Sequence, residues 1–190
     1  MTTLLLVRHG ETDWNAEGKL QGHTDRPLNE FGRQQAQALA ERLADERIDA
    51  LYASDLCRAR ETAEIVGARL GLEVELDPDL REKDWGSWEG LTSDERLHVS
   101  YEGETTEAHR ERAIRAVERI VARHPAGRVV VVTHGGSLRR LQAAVHGFAP
   151  PVIENCAVWA VAHEDGRFRP IYAPEPWLSG SGPPTAGPSG

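Results

Sequence analysis

Two histidines and two arginines are the residues of this chain best suited to chemistry. His9 sits in Arg8-His9-Gly10-Glu11-Thr12, Arg58 in Ser54-Asp55-Leu56-Cys57-Arg58, and His134 in Thr133-His134-Gly135-Gly136. Each segment follows an apolar run that reads as a buried strand. In open α/β sheets ligands bind beyond the carboxyl ends of the strands. Strand assignment alone therefore brings these groups to one edge, although they lie up to about 125 residues apart. Positive groups beside a Gly-rich turn and a helix N-terminus suit a phosphate. Arginine offers paired N–H donors and keeps its charge. Backbone N–H groups near Gly10 and Gly135 add further donors.

Opposite charges about 4 Å apart attract by about 4 kcal/mol at an effective dielectric near 20. Several such contacts outweigh the repulsion of a chain with net charge −8, much of which salt screens. The same arginines lower the pKa of His9 and keep one ring nitrogen nucleophilic. His134 can donate to phosphoryl oxygens and stabilise the charge spread over them in a transition state. A leaving alkoxide also needs a proton, and Glu82, Asp84 and Glu11 are the candidate acids. Glu82 lies in the irregular Leu80-Arg81-Glu82 segment, which can fold over the site.

The intervening elements must hold these groups. Thr3–Val7 reads as a buried strand, and the loop of residues 9–28 is long enough to be functional. Asn29 caps a helix whose inward face carries Phe31, Gln35, Ala36, Leu39, Ala40 and Leu43. Ile48–Ala53 is a second strand, and Ser54 and Asp55 look like caps for a helix bearing Leu56, Ala59, Ala63, Val66 and Leu70. Leu72–Leu76 reads as a short edge strand, and a short helix fits Ser93–His98. A long helix covers Thr105–Arg123 with Ile114, Val117, Ile120 and Val121 facing inward.

The four valines of Arg128–Thr133 mark a central strand. The next helix places Leu138, Leu141 and Val145 on one face. Asp165-Gly166 joins Cys156–His163 and Phe168–Tyr172 as a hairpin. The expected fold class is a three-layer α/β/α sandwich, mainly parallel in its central sheet with an antiparallel edge strand. Residues 1–178 form its single domain, and residues 179–190 form a disordered Gly/Pro/Ser tail.

With 190 residues, of which 39% are hydrophobic, the chain suits one sizeable core. Its acidic balance disfavours nucleic acid and anionic membranes as partners. The N-terminal apolar run is too short for a signal peptide or a membrane span. Cys57 and Cys156 have no metal-ligand spacing and read as free thiols of a cytoplasmic protein.

Five ordered blocks resemble the histidine phosphatase superfamily, the phosphoglycerate mutase-like proteins. The first is Arg8-His9-Gly10-Glu11-Thr12 with Trp14-Asn15. The second is Gln21-Gly22 with Asp25-Arg26-Pro27-Leu28. The third is Ser54-Asp55-Leu56-Cys57-Arg58-Ala59 with Thr62-Ala63. The fourth is Leu80-Arg81-Glu82 with Gly86-Ser87-Trp88-Glu89-Gly90, and the fifth is Thr133-His134-Gly135-Gly136.

The resemblance implies that His9 is phosphorylated during turnover. It implies that Arg8, Arg58 and His134 complete the phosphate pocket, and that Asn15, Gln21, Gly22 and Gly135 contact phosphate or substrate. Glu82 is then the proton donor and later the base for water. The implied enzyme is a histidine acid phosphatase-type phosphoric monoester hydrolase acting on a small phosphorylated metabolite, with no metal and no organic cofactor.

Mutases of the family carry a substantial insertion after the acidic block. Here only Leu91–Tyr101 separates Gly90 from Glu102-Gly103-Glu104-Thr105, which is similar to the phosphatase branch. A shorter lid leaves a phosphohistidine open to water. Phosphoglycerate mutase activity and a phospho-partner binding module without turnover are the alternatives; the intact His9, His134 and Glu82 argue against the second. A metal hydrolase is disfavoured because no compact ligand motif exists and two arginines repel a cation. Oligomeric state is open, a dimer among the possibilities. Trp85 and Trp88 read as packing or pocket walls. His23, His98, His109, His124, His146 and His163 read as surface or structural. The series Arg110, Arg112, Arg115, Arg119 and Arg123 reads as a solvated helix face.

Overall fold

A computed structural model describes residues 1–148 and 152–175 of the chain. Six strands form one sheet: β1 (Thr2–Arg8), β2 (Ala50–Ala53), β3 (Val74–Leu76), β4 (Arg128–Thr133), β5 (Val158–Glu164) and β6 (Arg167–Glu175), in the spatial order β3-β2-β4-β1-β5-β6. The pairs β2–β3, β2–β4 and β1–β4 are parallel, whereas β5 joins β1 antiparallel and β6 continues that edge. Among the described residues five α-helices accompany it: α1 (Asp13–Ala16), α2 (Glu30–Leu43), α3 (Cys57–Leu70), α4 (Thr106–Arg123) and α5 (Gly135–His146).

The strands are apolar because both faces of the sheet are covered. Leu4, Leu6, Val129 and Val131 pack with Val117, Ile120, Leu138 and Leu141 of α4 and α5. Leu5, Val7, Val130 and Val132 point the other way, against Ala36 and Leu39 of α2 and Ala63 and Val66 of α3. Each such buried Val or Leu contributes about 1.5–3 kcal/mol relative to exposure. This is the three-layer α/β/α sandwich with an antiparallel edge. Among the described residues no helix is long and apolar enough to cross a membrane.

Several local expectations change. The loop of residues 9–28 contains α1, one helical turn started by a reciprocal capping box between Thr12 and Asn15. Asn29 does cap α2, accepting from Gly32 N at 2.7 Å. Phe31, however, is exposed, because Gly32 makes the close approach: a Cβ there would stand 2.1 Å from the Glu11 carbonyl oxygen. Helix α3 begins after Leu56, without a side-chain cap. Ser54 accepts only from Leu56 N, at 3.3 Å, and Asp55 is taken by Arg81. Residues Glu95–His98 form a 3-10 turn. Asp165 and Gly166 both have positive φ, 51° and 73°, as the tight hairpin requires. Cys57 and Cys156 are free thiols. The tail expected at 179–190 lies outside the described residues.

Candidate active site

The register of β1 on β4 builds the centre of the site. Arg8 and Thr133 are partners at the ends of the two strands, and His9 N donates to Thr133 O at 2.9 Å. His9 and His134 therefore leave the sheet side by side. Their ring centroids are 5.1 Å apart, with the planes inclined by 61°.

His9 Nδ1 lies 2.6 Å from the Gly10 carbonyl oxygen. That oxygen can only accept, so Nδ1 carries the proton and Nε2 presents its lone pair. Burial, then the charges of Arg58 and Arg8, hold the ring neutral well below the usual histidine value. His134 is held neutral in the same way, first by burial and then by Arg58 and His9. Among the described residues, neither of its ring nitrogens has a hydrogen-bond partner.

Arg58 enters from the first turn of α3 and is buried. Its Nη2 donates to Gly22 O at 2.7 Å and its Nη1 to Thr24 O at 3.2 Å, with Nε unpartnered. Arg8 donates through Nη1 to the Ile153 carbonyl, and its Nε is also unpartnered. Burial lowers both guanidinium pKa values while Glu82 opposes the shift; arginine remains charged in either case. Gly22 adopts φ +52°, and a Cβ there would come within 1.9 Å of Glu89 Oε1. Glu89 earns that proximity by accepting from His23 N and Thr24 N, both at 2.7 Å, and from Trp85 N at 3.2 Å. It ties the loop after Gln21 to the Trp85 segment.

Glu82 lines the same cavity as His9. Its Oε1 accepts from Lys83 N and its Oε2 from Gly136 N, each at 2.8 Å. Position 136 must be glycine for this contact, since a Cβ would lie 2.1 Å from Glu82 Oε1. Asp84 instead accepts from Gly86 N at 2.8 Å, and Glu11 accepts from Asn29 Nδ2 at 2.9 Å. Asn15 Oδ1 accepts from Thr12 N at 3.1 Å and from Asn155 Nδ2 at 3.3 Å. Gln21 Oε1 accepts from Thr12 Oγ1 at 2.9 Å. With their oxygens engaged, both amides are left with free N–H donors.

A cavity of about 250 Å³ is lined by Arg8, His9, Asn15, Gln21, Gly22, Arg58, Glu82 and Gly135. Trp85 forms part of its wall and also stacks on Trp88 with centroids 6.3 Å apart; Lys19 and Arg139 line the cavity as well. His134 is fully buried behind it, against His9. Asp84 and Glu11 do not line the cavity. Among the described residues no three His, Cys, Asp or Glu side chains cluster as a metal cage.

Two further residues near the site were not expected there. Arg112 is not on a solvated face. Its Nη1 donates to the carbonyls of Asp79 and Arg81, both at 2.9 Å, and its Nη2 to that of Glu82 at 3.1 Å. It also pairs with Glu104 at 2.8 Å, so one guanidinium braces the segment that carries Glu82. The Glu104 of the Gly103-Glu104-Thr105 element was the sequence signal for this pairing. His109 is buried, 3.8 Å from Glu82; it keeps the 3-4 spacing of the buried Ala113, Val117 and Ile120, but nothing in the sequence pointed to Glu82 as its neighbour.

The chain is similar to a phosphoglycerate mutase-like protein of Arabidopsis thaliana, 45% identical over 157 residues, covering 73% of this chain and 68% of that protein. It is similar to a metal-independent phosphoserine phosphatase of the same plant, 41% identical, covering 74% of this chain and 67% of that protein. The solved structure of YhfR from Bacillus stearothermophilus superposes with a TM-score of 0.83 at 38% identity, covering 90% of this chain and 96% of that one. The model of the histidine phosphatase superfamily (branch 1) matches residues 4–172; with the paired imidazoles at the sheet edge, this establishes that the chain belongs to that superfamily.

Proposed function

We propose that this protein is a metal-independent phosphomonoesterase that hydrolyses small phosphate esters through a phosphohistidine on His9. The observation that carries the reading is the bare Nε2 of a neutral His9 inside a cavity lined by guanidinium groups, with one carboxyl group opposite. In the first step Nε2 forms a bond to phosphorus, and the bond to the ester oxygen breaks. Arg8, Arg58, His134, the free N–H groups of Asn15 and Gln21, and the backbone at Gly22 and Gly135 stabilise the phosphoryl oxygens. Glu82 gives its proton to the leaving oxygen. In the second step Glu82 takes a proton from water, whose oxygen displaces the imidazole and releases inorganic phosphate.

Lys19 and Arg139 on the cavity wall favour an ester with a further anionic group. The phosphoserine phosphatase relative, described by its name as metal-independent, supports both the reaction and the absence of a metal requirement. Two free thiols suit the cytoplasm.

The test is hydrolysis of p-nitrophenyl phosphate in the presence of a chelator. The wild-type chain is expected to be active and to form an acid-labile phosphoenzyme. His9→Ala is expected to lose about 10³-fold or more of the rate while keeping its fold. Wild-type activity in that variant removes His9 as the nucleophile. The mutase-like relative keeps a second reading in view. It requires transfer of phosphate between carbons of phosphoglycerate, stimulated by the bisphosphate; release of free phosphate without such stimulation is the expected result.

A further inference from the structure

We infer that His109 is a positioning residue for Glu82, holding through Ser137 the start of the helix whose Gly136 N–H orients the carboxyl group that moves the proton. His109 lies in the first turns of α4, and its Nε2 is 2.9 Å from Ser137 Oγ. That hydroxyl donates its one proton to Arg81 O at 3.1 Å. It must therefore accept from the imidazole, so Nε2 of His109 carries hydrogen. Nδ1 is buried and, among the described residues, has no partner. The ring is thus the neutral Nε2–H form, and this nitrogen stands 3.8 Å from Glu82 Oε1, with side chains 1% and 13% exposed.

The groups that face the ring explain why it stays neutral. Burial opposes the charge most. Arg112 on α4 and Arg140 on α5 act in the same direction, while Glu82 and Glu104 pull the other way. Neutrality matters to the chemistry. A cation at this distance would hold Glu82 as a carboxylate and hinder its taking a proton back. A neutral ring puts no charge beside the carboxyl group, so Glu82 can give its proton and take one back. Glu82 itself accepts from Lys83 N and Gly136 N. Through Ser137, His109 also tethers the start of α5, which supplies the Gly136 donor.

The inference rests on Glu82 being the acid of the proposed reaction. It is tested with His109→Leu and His109→Gln on p-nitrophenyl phosphate, whose leaving group needs little protonation, and on an alkyl phosphate, whose leaving group needs it fully. His109→Leu is expected to lower kcat on the alkyl ester about tenfold, with KM and the p-nitrophenyl rate within about twofold. His109→Gln, which retains an N–H donor, is expected to recover most of the loss. Equal slowing of both esters, or of neither, overturns the inference.

Glu82→Gln is run in parallel. If it shows no dependence on leaving group, the acid assignment falls and takes this inference with it. If it shows the dependence and His109→Leu does not, only the inference falls. Nitrogen-15 NMR of the wild-type ring does not depend on any variant folding. The Nε2–H tautomer is expected, and an Nδ1–H tautomer or an imidazolium overturns the inference.

Discussion

Because the Gly10 carbonyl accepts from His9 Nδ1 at 2.6 Å, the nitrogen proposed to attack is chosen by the backbone rather than by a neighbouring carboxylate. The same economy governs Glu82, which is oriented by two backbone amides, Lys83 N and Gly136 N. Gly136 is the more exacting of the two positions, since any Cβ there meets the carboxyl oxygen at 2.1 Å and its Cδ at 2.8 Å. Gly136→Ala is therefore expected to swing Glu82 out of line. It should lower kcat on an alkyl phosphate about 100-fold, a loss typical of an ångström-scale misplacement. The melting temperature is expected to hold or rise slightly, because alanine is the better helix former by about 1 kcal/mol. Steady-state kinetics and a thermal melt on the same preparation check both parts. A lost rate together with a lost fold would mean that the glycine serves packing instead.

The strands and their helices were legible because each obeys a local rule. The four valines of β4 are continuous because both faces are covered, and the 3-4 spacing of Gln35, Ala36, Leu39, Ala40 and Leu43 on α2 follows a single buried face. The same rules place Arg8, His9, Arg58 and His134 at one end of the sheet, since Arg8 closes β1, His9 and His134 directly follow β1 and β4, and Arg58 lies in the first turn of the helix after β2. What local rules cannot show is contact across elements. Arg112 sits on a helix whose periodicity looks solvated at that position, whereas His109 falls in line with the buried Ala113, Val117 and Ile120. Which groups they meet depends on how the Asp79–Glu82 segment crosses α4, and no spacing within α4 encodes that. Phe31 fails for a related reason: the end of α2 is set by backbone contact rather than by its apolar stripe. A Cβ on Gly32 would lie 2.1 Å from Glu11 O, and one on Gly10 would lie 2.5 Å from Gly32 O. These are backbone neighbours that cannot rotate away. Gly32→Ala is thus expected to cost about 1–3 kcal/mol, the strain outweighing the gain in helix propensity. Its effect should reach the rate as well, because α2 presses on the loop that holds His9. Urea denaturation measures the first part; an unchanged midpoint would show that α2 can shift freely.

At the scale of the whole molecule, three buried histidines couple folding to pH. His9, His134 and His109 all have pKa values lowered from the ordinary 6.5, with burial the largest cause in each. In the unfolded chain they regain that ordinary value. As pH falls below about 6.5 the unfolded state takes up protons that the folded state refuses, so stability declines. The slope is at most about 1.4 kcal/mol per pH unit for each ring, and it ends where the folded pKa is reached. Asp55 is held low by its hydrogen bonds to Arg81. Burial pushes Glu104 up, but Arg112 outweighs it. Their contributions are present above the usual carboxylate values, 3.8 and 4.5, and are lost only further down the scale. Urea midpoints at about pH 7.5 and about pH 5.5 are expected to differ, with the lower midpoint at the lower pH. Identical midpoints would mean that the rings protonate inside the folded protein. The sheet order has a consequence for synthesis as well. Strand β4 fills the slot between β2 and β1, yet the ribosome delivers it long after either neighbour. At about 5–20 residues per second, the newborn polypeptide carries two unpaired apolar strand edges for about 4–15 s after β2 is made, before Arg128–Thr133 emerges to join them. A chain truncated upstream of Arg128 lacks the strand that joins β2 to β1 and is expected to be inactive and prone to aggregate.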